Sequence, residues 1–145
     1  MLQPLDDVRR RARTPARAVQ TAASPQAGGR VPPHNLQAEE SLLGAMLLSR
    51  DAIAAVTEVR GLSPDDFYRP AHGHVFAAVM SLYERGEPVD PVTVADELAR
   101  RDQLEGVGGL QALLALQAAA PATTNAQRYA RIVEEHAVLR RLIAV

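Results

Sequence analysis

The chain has 145 residues, 47% apolar and 23% charged, with a net charge of −1; that suits one folded domain and excludes both two full domains and a wholly disordered chain. Aromatic residues make up 3%, so a core must come from Leu, Val, Ile, Met and Ala, which favours an all-α fold. Zero Cys excludes a disulfide framework, a thiolate nucleophile and a cysteine zinc site, and points to the cytoplasm; all sixteen basic side chains are Arg, which excludes a P-loop lysine and Schiff-base or Ser-Lys chemistry.

Residues 1–30 hold six Arg against Asp6 and Asp7, a net +4, with Pro4, Pro15, Pro25, Gly28 and Gly29 scattered among them. They lack an apolar face to offset ordering entropy and the apolar stretch of a secretory signal, so they read as a disordered basic tail. Such a tail can attract nucleic-acid phosphates, although a passive tail is the simpler reading. Residues 31–145 carry ten Arg against fifteen acids, a net −5, so the folded part favours partner proteins over direct DNA contact. Its apolar runs fall far short of the roughly 20 residues of a membrane span.

Asn35 is placed to cap a first helix in which Leu36, Leu43 and Leu47, with Leu42 and Met46, recur at helical steps. Glu39 and Glu40 sit near its positive end. Asp51 is a cap for a second helix with Ile53, Val56 and Val59, stopped by Gly61. Ser63-Pro64-Asp65-Asp66 opens a short helical turn that sends Phe67 inward. From Pro70 a long helix carries Val75, Phe76, Val79, Met80, Leu82 and Tyr83 to a stop at Gly86. Asp90-Pro91-Val92-Thr93 caps a helix with Val94, Ala95 and Leu98 on one side. Gly106, Gly108 and Gly109 break the chain before a helix with Leu110, Leu113, Leu114 and Gln117, ended by Pro121. Thr124 to Gln127 fits a capping box for the last helix.

These elements predict a compact head of four to five helices over about 31–105, then an antiparallel helical hairpin over about 108–145. The final helix, roughly 30 Å long, is about twice its mate, so its stripe outruns its neighbour. Tyr129, Ile132, Val133, His136, Leu139, Leu142 and Ile143 are therefore the candidate residues for an oligomer or partner interface. The alternative is that the upstream helices fold back over this end. The stripe is still periodic at Val145 with no stop signal, which predicts that the natural protein continues.

No catalytic, cofactor or metal site emerges. His72 and His74, two residues apart on a helix, point to opposite sides, whereas zinc pairs on helices favour a spacing of four. His34 and His136 are isolated from other histidines in sequence. Asp65/Asp66, Asp96/Glu97 and Glu134/Glu135 are adjacent acids that diverge on a helix, which suits helix dipoles and solubility better than acid–base pairing. The glycines at Gly106, Gly108 and Gly109 follow no strand and lack the Lys of a phosphate loop.

The run from Pro33-His34-Asn35-Leu36 through Glu39-Glu40 to Met46-Leu47 resembles the opening of the N-terminal domain of bacterial replicative DNA helicases, the DnaB family. In the same order, Asp66-Phe67-Tyr68-Arg69-Pro70-Ala71-His72, Leu82 to Asp90 with Val92-Thr93, Gly108-Gly109, and Asn125 through Tyr129-Ala130-Arg131-Ile132-Val133 to Leu139-Arg140-Arg141-Leu142-Ile143 resemble that domain. The segment Gln111-Ala112-Leu113-Leu114 departs from the pattern by lacking an aromatic. The resemblance implies a helical head and hairpin, pairing through the hairpins, and three pairs forming the collar of a hexamer. It implies docking of the primase C-terminal domain and of a helicase loader. ATP and Mg would belong to a motor domain absent from this chain, around DNA held in the parent ring. A rival reading is a free-standing adapter that borrowed the domain without a motor; a phosphate-loop motif downstream in the gene would separate the two.

Overall fold

Seven α-helices form among the residues described by the computed structural model, 31–144: α1 (Leu36–Leu48), α2 (Arg50–Val56), α3 (Pro70–Glu84), α4 (Pro91–Arg100), α5 (Leu104–Val107), α6 (Gly109–Ala119) and α7 (Ala126–Ala144). Short 3-10 turns lie at Pro64–Asp66 and Thr123–Asn125. The fold is all-α, as the composition predicts. The tail reading of residues 1–30 lies outside the described residues.

Side-chain caps account for three of the seven helix starts among the described residues. Asn35 accepts from the Ala38 N–H at 2.9 Å. Asp90 accepts from Thr93 N–H at 2.8 Å while Thr93 Oγ1 accepts from Asp90 N–H at 2.9 Å, a reciprocal box that satisfies two donors. Gly86, at φ 73°, ends α3 as expected. The cap of α2 is Ser49 and not Asp51: its hydroxyl accepts from Ala52 N–H at 3.2 Å, and Asp51 falls in the first turn. α2 also stops at Val56, although Val59 still reaches the core from the turns that follow. Gly106 sits inside α5, and the break falls at Gly108 with φ 103°. Thr124 lies within a 3-10 turn, so α7 begins one residue later than the capping-box spacing places it.

The core is organised around α1. Leu42, Leu43, Ala45 and Met46 are fully buried, and nine of its thirteen residues are buried. A helix buried nearly all round must have neighbours on several sides, and α1 packs against α2, α3, α6 and α7. Gly44 allows the closest approach: a Cβ there would lie 2.2 Å from the Leu116 carbonyl oxygen of α6.

The last two helices run in opposite directions, with α1 packed between them. Leu113 of α6 lines a cleft with Glu40 near the start of α1, and Gln117 donates to Leu47 O near its end at 3.2 Å, so α6 follows the direction of α1. On α7 the order reverses: Gln127 donates to Ala55 O, beyond the end of α1, and Arg140 donates to Pro33 O, before its start. Each helix packs mainly on α1 and little on the other. The two helices thus lie antiparallel, as the hairpin reading expects, and α1 of the head packs on both.

Candidate oligomerisation surface

The inner face of α7 is a seam of small residues. Ala126, Ala130, Val133 and Ala137 recur at steps of three and four and are buried against the head. At 100° per residue, Leu139, Leu142 and Ile143 fall on the opposite side. There they stand 46%, 69% and 68% exposed, with Val138 beside them at 39%. Covering such a side chain fully gains on the order of 1.5 to 3 kcal/mol, so this face favours association once the entropic cost of docking is offset.

The seven residues predicted for the interface therefore divide. Leu139, Leu142 and Ile143 face outward together. Tyr129 and Ile132 are half-buried, lining a shallow groove with Asn35, Ala38, Ser41 and Pro121. His136 is half-buried as well, and its Nδ1–H donates to the Ile132 carbonyl at 2.8 Å. Val133 is 2% exposed within the subunit's own core. It is apolar and helical as expected, and the subunit's own core already covers it.

Sequence reasoning missed the contacts that the Arg140-Arg141 doublet makes beside this face. Arg140 Nη1 donates to Pro33 O at 2.8 Å, its Nη2 donates to Asp66 O, and its guanidinium lies 5.6 Å from the centre of the Tyr68 ring. That ring stacks on His34 at 3.9 Å. Arg141 Nη1 pairs with Asp66 Oδ1 at 2.8 Å, and Asp66 Oδ2 accepts from Ser63 N–H at 2.8 Å. The available signal was two cations set within an apolar stripe, opposite an acid in Ser-Pro-Asp-Asp.

Two more polar sites hold the head together. The Glu39 carboxylate, 1% exposed, accepts from Tyr68 N–H at 2.7 Å, from Arg69 N–H at 3.5 Å and from His72 Nδ1 at 2.8 Å. It thus ties α1 to the start of α3. Glu97 of α4 accepts from Arg85 Nη2 at 3.0 Å and Arg101 Nε at 2.9 Å, and these bonds, Arg85 first, hold its carboxyl below the usual range. Among the described residues no three His, Cys, Asp or Glu side chains converge as metal ligands, and no helix is long and apolar enough to cross a membrane.

The described residues thus form an all-helical domain whose last helix turns alanines inward and leucines outward. Residues 31–135 match the family model described as the DnaB-like helicase N terminal domain. The chain belongs to that family. It is 55% identical over 115 residues to the replicative DNA helicase DnaB of Mycobacterium leprae, covering 79% of this chain and 19% of that protein. It is 49% identical over 114 residues to the replicative DNA helicase DnaB of Geobacillus stearothermophilus, covering 79% and 25%. The chain thus spans about a fifth to a quarter of these curated relatives. Among solved structures, the N-terminal domain of DnaB helicase from Mycobacterium tuberculosis superposes with a TM-score of 0.75 at 54% identity, covering 79% of this chain and 78% of that one. The N-terminal domain of the Helicobacter pylori helicase, described with its interactions with primase, superposes at 0.62 with 26% identity, covering 74% and 81%.

Proposed function

We propose that this chain is the self-associating and partner-docking end of a replicative DNA helicase. Copies pair through α7, three pairs close into the collar of a hexamer, and the collar holds the motors in register around DNA. The observation that carries this reading is the outward face of Leu139, Leu142 and Ile143 directly opposite the alanine seam. Docking of the primase C-terminal domain is supported by the Helicobacter pylori relative, described with its primase interactions; a helicase loader is the second proposed partner. Tethering gives primase a high effective concentration at the fork, so weak contacts suffice. The residues present do not fit a nucleotide site: the chain has no Lys and no G-x-x-x-x-G-K-[ST] run. ATP and Mg chemistry is assigned to a motor outside it.

Leu139→Asp places a charge in the centre of the outward face. Light scattering should report a lower mass than for the unaltered chain while circular dichroism reports unchanged helicity. A variant of full helicity and unchanged mass refutes pairing through this face.

A further inference from the structure

We infer that Arg140 and Arg141 are a positioning latch, fixing the direction in which the distal part of α7 leaves the head and so presenting the outward face for pairing. This rests on the pairing reading above. Apolar packing of α7 ends at Ala137, the last buried residue on the helix among those described. Beyond it an open groove of about 350 Å³, lined by Asp65, Asp66, Ala137, Arg140, Arg141 and Ala144, separates the helix from the Pro64–Asp66 turn. Two guanidinium groups bridge that groove.

Their geometry suits a directional tie. Arg140 donates to carbonyls of two separate segments, Pro33 before α1 and Asp66 in the 3-10 turn, while its plane lies over Tyr68. A planar fork can serve two carbonyls and an aromatic ring at once, which a lysine ammonium cannot reproduce. Arg141 makes a single ion pair to a carboxylate that is 4% exposed and already oriented by Ser63 N–H. A point charge suffices for that contact. With no buried residue past Ala137 among those described, loss of either tie should loosen the distal turns and loss of both should let them swing, while the alanine seam keeps the near half in place.

The chain has zero Cys, so paired spin labels report on introduced sites alone. Labels at Glu84→Cys and Ala144→Cys span head and distal helix; Glu84→Cys and Arg128→Cys span head and near helix. Labelled chains are diluted with unlabelled ones to suppress distances between copies. The double variant Arg140→Ala/Arg141→Ala should widen the 84–144 distance distribution about twofold and leave 84–128 unchanged. With Arg140 in place, lysine at 141 should keep the narrow distribution; with Arg141 in place, lysine at 140 should not. Raising salt on the unaltered chain should widen 84–144 alone, because the Arg141 side chain is 61% exposed and its pairing is screened; this arm decides the matter if the double variant does not fold. An 84–144 distribution as narrow in the variant, or in high salt, as in the unaltered chain overturns the latch. The mass of Leu139→Asp tests pairing separately: an unchanged mass removes the pairing reading and leaves the distance result to stand by itself.

Discussion

Glu39 and Glu40 are neighbours of the same type, and burial gives them different tasks. Glu39 satisfies two backbone N–H groups and a histidine inside the protein, while Glu40 stands half-buried at the mouth of a cleft. Glu39→Ala leaves those donors unpaired in a dry site and should lower the unfolding free energy by about 3 kcal/mol. Glu40→Ala should stay within about 0.5 kcal/mol. Urea unfolding of the two variants side by side checks the difference. The position of both acids in the first turns of a helix was legible; which of them enters the core was not, because the partners, Tyr68 and His72, lie about thirty residues away. Glu97 adds a pH dependence. Its folded pKa is lowered by Arg85 and Arg101, so its stabilisation is complete above the unfolded value near about 4.3 and fades as pH falls through the lower folded value. The stability gap between the unaltered chain and Glu97→Gln should therefore be constant at neutral pH and shrink in acid. A gap independent of pH down to acid unfolding contradicts this assignment.

At the scale of helices, starts and stops follow from local chemistry and were largely readable: Asn35, Asp90 and Gly86 act where their side chains or backbone freedom place them. Ser49 and Asp51 are both good caps two residues apart, and only the one-residue break between α1 and α2 decides for Ser49. The packing of α6 and α7 was less legible because hydropathy weights large side chains. The true inner face of α7 is mostly alanine, which reads as neutral, and the large leucines that look like core face outward. Small residues let helices come close, and Gly44 shows how close. Gly44→Ala gains about 1 kcal/mol of helix propensity but drives a methyl into the Leu116 carbonyl, 2.2 Å from the ideal Cβ position; the net should be a loss of about 1 to 2 kcal/mol. Gly106→Ala, also helical but with open space around the added carbon, should be neutral or slightly stabilising. Thermal unfolding that ranks Gly44→Ala as the more stable variant contradicts the close α1–α6 approach.

For the whole molecule, one helix carries both the interior and the proposed exterior contact, so stability and association should separate by face. If copies pair through the outward face, melting is coupled to association and the midpoint rises with protein concentration. Leu142 and Ile143 are 69% and 68% exposed in the single subunit. Converting both to Asp should flatten that concentration dependence while leaving the midpoint at high dilution close to that of the unaltered chain. Val133, 2% exposed, should behave in the opposite way. Val133→Ala empties a packed site at a cost of about 1 to 3 kcal/mol and should lower the midpoint at every concentration, with the slope preserved. A melting series over a wide concentration range, read by circular dichroism, distinguishes the two. A midpoint independent of concentration in the unaltered chain, checked up to concentrations where light scattering still reports a single subunit, removes the physical basis for pairing through α7.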